Sequence, residues 1–337
     1  MDILGISKIL KPFFSNVIIG VNIDSKSCSL KLTRIKDKKI LETLHKEFKT
    51  IDNELPIEAV KFIRGYQKKY PFTYVSGVSK SYNQGLFKRE GKDDFSKNGI
   101  DIKSTKILNI GDWTVYIKES ALRENIEKYS KINGLDHLFS PFVLIYHKIN
   151  EHIDSKTNLY ILQERSNVSL LIADSGGIYF GGYFMIEGEV QEIEEAPQED
   201  IEDIFTTSLP SLNHGDDDLD DDIDDLEDLD SDFFIEKLNE KLLSDNDQEN
   251  NTQDKVNDIA KISIISNIIQ NSLREFYSNE LYDSKFIDRI VILDAYGISN
   301  AALEHLKENL MIETNKISVS IPDELVALSK IELDKVL

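Results

Sequence analysis

The sequence has a single cysteine, Cys28, so no disulfide can form within the chain, and a reducing compartment is the expected setting. Long apolar runs are missing too: nothing approaches the 18 or so uninterrupted apolar residues of a membrane-spanning helix. The opening residues carry Lys8 and Lys11 but neither a long apolar stretch nor a small-residue cleavage site, which speaks against secretion. Positive charge is scarce. Lys and Arg number 39 against 61 Asp and Glu, a net of −22, whereas a surface that grips nucleic acid needs the opposite balance. The expectation is a cytoplasmic protein with no nucleic-acid partner.

What is present is enough apolar material for a sizeable core. The 337 residues are 40% hydrophobic, which suits two domains or one large two-lobed body. The acidity is concentrated in one place. Residues 192–232 hold 19 acidic side chains and no Lys or Arg; without them the balance is 39 against 42, or −3. The stretch 190–255 therefore reads as a solvated, disordered acidic insertion in an otherwise ordinary globular chain.

Residues 1–16 form an amphipathic lead, with Ile3, Leu4, Ile6, Leu10, Phe13 and Phe14 beside two lysines. Such a lead either touches a membrane or partner, or packs back on its own domain. Val17–Ile23 is a near-continuous apolar run of strand length, followed by a polar turn, a second strand around Leu30–Ile35, a turn at Asp37-Lys38-Lys39 and a third strand to Phe48. A helix is predicted over 54–70, a strand at 74–78, a loop-rich insertion over 79–104, a strand at 113–117, and helices at 120–130 and 141–149. The opening pattern then returns. Leu159–Leu162, the polar turn 163–167, Val168–Ala173, the tight turn Asp174-Ser175-Gly176-Gly177 and Ile178–Met185 repeat strand, loop, strand, turn, strand about 140 residues on. A long helix from about Val256, a strand at 287–293, a turn at 295–297, a helix at 300–310 and a strand at 317–319 complete the pattern. Two related lobes are expected, 17–155 and 156–337.

Three segments carry a family resemblance: IIGVNIDSKSCSLKL, LYILQERSNVSLLIADSGGIYF, and IDRIVILDAYGISNAALEHLKENL after an Ile-rich helix. In this layout the chain resembles the actin-like ATPase superfamily, and within it the PilM family of type IV pilus assembly and the cytoplasmic part of GspL from type II secretion. The resemblance implies an α/β fold of duplicated, ribonuclease H-like lobes. It also implies a cytoplasmic scaffold, recruited to the inner face of the cytoplasmic membrane. Such a scaffold would dock the tail of an inner-membrane pilus or secretion protein and contact the secretion motor ATPase.

Departures from the superfamily pattern bear on nucleotide chemistry. Its phosphate loops read Asp-x-Gly, with the Asp ordering metal and water and the Gly letting backbone N–H groups approach phosphate. Here the first loop reads Asn22 and Asp24: no charge for Mg²⁺, and a carboxylate where phosphate belongs. The second places Tyr160 and Leu162 at the signature positions, followed by Gln163 and Glu164. The adenosine turn, usually a Gly-Gly pair, is Leu293–Gly297, in which Asp294, Tyr296 and Gly297 stand at the nucleotide side. These residues lead to the expectation of a degenerate ATPase that is not an enzyme and holds no cofactor, with weak binding of ATP and Mg²⁺ as the lesser alternative. A nucleotide-binding, polymerising ATPase is the second reading.

The acidic insertion offers two further patterns. Asp216, Asp218, Asp220, Ile223 and Glu227 fit positions 1, 3, 5, 8 and 12 of an EF-hand loop, but Asp221 stands where the sharp turn demands Gly, so no metal site is expected. Leu219, Ile223, Leu226, Leu229 and Phe233 fall on one helical face, a candidate stripe for a basic, grooved partner and the basis of a third reading as an adaptor. None of the six histidines sits in a nucleophile or metalloprotease motif. Cys28, Trp113 and Pro141 read as packing and capping residues.

Overall fold

The computed structural model describes residues 13–50, 53–89, 95, 100–186 and 249–336. By internal packing the chain divides into a body of Met1–Glu187 with Asp258–Leu337 and a second unit, Gly188–Asn257. The stripe Leu219–Phe233 and the EF-hand-like positions 216–227 lie outside the described residues.

The body contains two five-stranded sheets of identical construction. In the first, β1 (Asn16–Ile23), β2 (Ser27–Lys36) and β3 (Lys39–Lys49) form the meander, and β4 (Phe72–Val78) and β8 (His137–Phe139) complete the order β3-β2-β1-β4-β8. In the second, β9 (Asn158–Gln163), β10 (Asn167–Asp174) and β11 (Gly177–Met185) precede β12 (Arg289–Asp294) and β13 (Thr314–Ser318), in the order β11-β10-β9-β12-β13. In both, the meander is antiparallel and the last two strands are parallel to the first. A duplicated lobe of this order is the actin-like α/β fold.

Period-two alternation decides which side chains face which layer. Along β9, Leu159 and Ile161 face the outer core with Ile262, Ile265 and Ile269 of α4 (Glu249–Ser278) and Leu306 of α5 (Asn300–Leu310), whereas Tyr160 and Leu162 face the inner core. On the first sheet, Val17, Ile19 and Val21 point to α1 (Ile57–Lys69) through Ala59, Val60 and Ile63.

The inner faces are covered by exchange. Helix α3 (Pro141–Ile149), which follows the last strand of the first lobe, packs on β9 and β10 of the second. Helix α6 (Ile321–Val336), which follows the last strand of the second lobe, packs on β1, β2 and β4 of the first. Gly20 permits that approach: a Cβ there would collide with the carbonyl oxygen of Pro322 and come within 3.0 Å of Leu325 Cβ.

Several elements differ from the sequence expectations. The insertion at 79–104 is not only loop: β5 (Gln84–Lys88) joins β7 (Trp113–Lys118) and β6 (Thr105–Ile110) in a three-stranded sheet, order β5-β7-β6, followed by α2 (Glu119–Lys128). Leu86 of β5 packs where Gly181 of β11 leaves room, a Cβ on Gly181 falling 2.5 Å from Leu86 Cδ2. The stretch 137–139, which lies between the helices predicted at 120–130 and 141–149, is the edge strand β8. Helix α4 starts at Glu249 rather than near 256, and α6 was not anticipated.

Candidate functional site

The two meanders end in matching turns that face each other between the lobes. In the first, the N–H of Asp24 donates to the Ser27 carbonyl at 2.8 Å; in the second, the N–H of Glu164 donates to Asn167 at 3.0 Å. This match makes Leu162 the counterpart of Asn22 and Glu164 the counterpart of Asp24. The sequence reading set the second loop two residues too early. Tyr160 and Leu162 lie inside β9, buried in the inner core, and not on the turn. The polar turn 163–167 is visible in the sequence, but only the strand pairing, Asn22 with Ser29 and Leu162 with Ser169, shows which residues of the two loops correspond.

Both turn carboxylates are buried and held from across the cleft. Glu164 is 2% exposed and accepts from the Nζ of Lys80, which follows β4 in the first lobe. Asp24 of the first lobe lies 3.9 Å from Nε of Arg165 and accepts from the Ser166 hydroxyl at 3.5 Å, both of the second. Asp24 also accepts from the Ser25 N–H at 2.8 Å. Tyr183 of β11 sits near both acids. Burial first, then the charges of Glu164 and Asp24, push its phenol well above the ordinary value.

At the third turn, Asp294 ends β12 with a buried carboxylate that accepts the N–H groups of Tyr296, Gly297 and Ile298 at 3.1, 2.8 and 2.9 Å. Gly297 has φ +94°, which favours glycine. The Tyr296 hydroxyl accepts from Gln163 Nε2 at 3.0 Å, and the Arg165 guanidinium lies 5.6 Å from its ring centre.

These residues do not suit Mg·ATP. A phosphate chain needs turns that offer N–H groups, and each turn offers a carboxylate instead. Asn22 is buried and its Oδ1 has no hydrogen-bond partner, yet it lacks the charge that holds a hydrated cation. Among the described residues no group of three or more His, Cys, Asp or Glu side chains is placed to hold a metal. A cavity of about 60 Å³ between the lobes, lined by Lys80, Asn125, Ser166, Asn167 and Tyr183 among others, has room for a few waters. The Asn167 Oδ1 and Tyr183 hydroxyl, both without protein partners, suit such waters.

The other candidates resolve as packing. Burial pushes the Cys28 thiol up to about 12, outweighing the nearby Lys80 charge, so it is inert at neutral pH. Trp113 is buried in the inner core, and Ser140 caps α3 ahead of Pro141. Lys80, Arg165 and Tyr183 were not singled out in the sequence; their roles depend on which residues the opposite lobe brings near.

Residues 159–334 match the family described as Domain of unknown function (DUF8341), and residues 13–146 match that described as Domain of unknown function (DUF8569). No curated protein matches the sequence. Among solved structures, a Bacteroides thetaiotaomicron protein with actin-like ATPase fold and unknown function is 8% identical, with TM-score 0.45 over 97% of this chain and 99% of that one. A PilM-PilN type IV pilus biogenesis complex is 9% identical, with TM-score 0.45 over 89% and 88%. The activator of the 2-hydroxyisocaproyl-CoA dehydratase from Clostridium difficile, with bound ADPNP, is 10% identical, with TM-score 0.41 over 95% and 98%. Among the described residues, no helix is long and apolar enough to cross a membrane.

Proposed function

The chain belongs to the family described as Domain of unknown function (DUF8341), and from that premise we propose that it is an actin-like scaffold that turns over no nucleotide and works by holding a partner. One observation carries this reading: both turns that would cradle phosphates end in buried carboxylates, and a cation of the opposite lobe lies beside each. A triphosphate entering the cleft would meet two like charges and would have to strip Lys80 from Glu164. The partner class follows the resemblance of the three quoted segments to the PilM and GspL families: the cytoplasmic tail of an inner-membrane pilus or secretion protein, with the motor ATPase as a further contact. That role places the protein at the inner face of the cytoplasmic membrane.

Calorimetric titration of the full chain with Mg·ATP, carried to about millimolar nucleotide, tests the proposal. No saturable heat is expected. Saturation in the micromolar range overturns it and makes an ATP-switched, polymerising protein the leading reading.

A further inference from the structure

At the end of the first sheet remote from Asp24, bulky apolar side chains stand in solvent beside lysines. Phe13 and Phe14, just before β1, are 72% and 42% exposed; Ile40 and Leu41, at the start of β3, are 63% and 48% exposed. Strand register gathers them. Asn16 stands between Ile35 of β2 and Phe72 of β4, Ile35 pairs with Ile40, and the Phe14 ring lies 5.9 Å from that of Phe72.

The same end is basic. Asp37 and Lys38 form the exposed tip of the β2–β3 hairpin, flanked by Lys36 and the exposed Lys39, so lysines outnumber the one acid there, and Lys68 and Lys69 are exposed at the end of α1. Tyr70 ties the two together, with the Lys69 ammonium 5.2 Å and the Arg34 guanidinium 5.3 Å from its ring centre. Of the neighbouring carboxylates, Glu42 is already engaged by Arg34 at 2.9 Å and by the Tyr66 hydroxyl at 2.8 Å, which hold it below the usual carboxylate range, the Tyr66 bond most of all.

We infer that this end of the first lobe seats the protein on an anionic lipid surface. Lysines alone would fit any acidic partner. Apolar groups from two separate segments, set among those lysines, fit a bilayer interface, where ammonium groups meet headgroups while rings and aliphatic chains enter the acyl boundary. On a chain of net charge −22, a local basic end also fixes which way the protein would face. This inference goes beyond the scaffold reading and does not rest on it, because the seat lies at the opposite end of β1 from the cleft.

The test is co-sedimentation of the full chain with vesicles of phosphatidylcholine alone and of phosphatidylcholine mixed equally with phosphatidylglycerol. Binding is expected to the mixed vesicles only, and to weaken as salt shortens the Debye length. Each lysine contributes about fivefold near such a surface, so K68Q/K69Q should lower partitioning at least tenfold, and F13S should lower it further. All these positions are exposed, and an unchanged melting curve confirms that each variant is folded. Equal binding to neutral vesicles, no binding to either, or full binding by K68Q/K69Q overturns the inference. A concentration-dependent dimer that the same variants abolish, without vesicle binding, also overturns it and gives the patch to a second copy.

Discussion

Glu164 and Lys80 come from opposite lobes and meet where water barely reaches. Removing the cation strands a buried carboxylate, which is costlier than losing the pair as a whole. Lys80→Met should destabilise the protein by about 3 kcal/mol, and adding Glu164→Gln should restore part of that. Urea unfolding of the two variants measures it. Arg165→Ala, which removes a looser and more exposed partner of Asp24, should cost less than about 1 kcal/mol.

Gly20→Val places a branched side chain against the first turn of α6. Overpacking of this kind costs about 1–3 kcal/mol, and the strain falls where α6 packs on the inner face of β1. The expected result is a lower urea midpoint, with faster amide exchange in both α6 and β1. Exchange unchanged in α6 would contradict the packing.

Asp174 supplies a pH dependence. Burial alone would raise its pKa, but hydrogen bonds from Lys285, Tyr179, Thr157 and the Gly176 N–H outweigh that and bring it down to about 2. Because the folded value lies below the ordinary 3.8, the stabilisation is complete above about pH 4 and drains away as pH falls towards 2. A shift of this size corresponds to about 2 kcal/mol. Asp174→Asn should lose that amount at pH 7 and flatten the thermal stability profile between pH 4 and 2.5, as scanning calorimetry would record.

Gly181→Leu should lift the β5-β7-β6 sheet away from β11, since Leu86 already fills the available space. Exchange protection should fall in residues 84–118 while that of β9, β10 and β12 changes little. A uniform loss of protection would show instead that the small sheet unfolds only with the whole body.

The elements legible in the sequence are those whose own residues determine them. The meander strands are apolar or alternating runs bounded by polar turns, and the hairpin at 174–177 pairs Asp174 with Gly177 as its residues suggest. Strand β8 is three residues long and exists because Asp136, whose carboxylate accepts the Val75 N–H at 2.8 Å, sets it beside β4. Helix α6 follows the strand taken to close the pattern, and its place in the fold shows only where Pro322 and Leu325 meet Gly20. The site divides in the same way. Asn22, Asp24, Asp294, Tyr296 and Gly297 stand at strand ends and turns foreseen locally, but Glu164 takes the place of Leu162 opposite Asp24 because only the pairing of the two meanders fixes which residues correspond. Lys80 acquires meaning only from its partner.

The exchange of α3 and α6 gives the chain an order of assembly. While the first lobe leaves the ribosome its inner face lacks α6, because the helix that packs on Gly20 is encoded after every described strand of the second lobe. Until then the nascent sheet displays an apolar surface to chaperones and to other chains. A chain stopped after β13 would keep every described strand and the α3 cover of the second lobe, yet leave the first lobe open, so a late truncation should act on abundance in the cell before it acts on any contact with a partner.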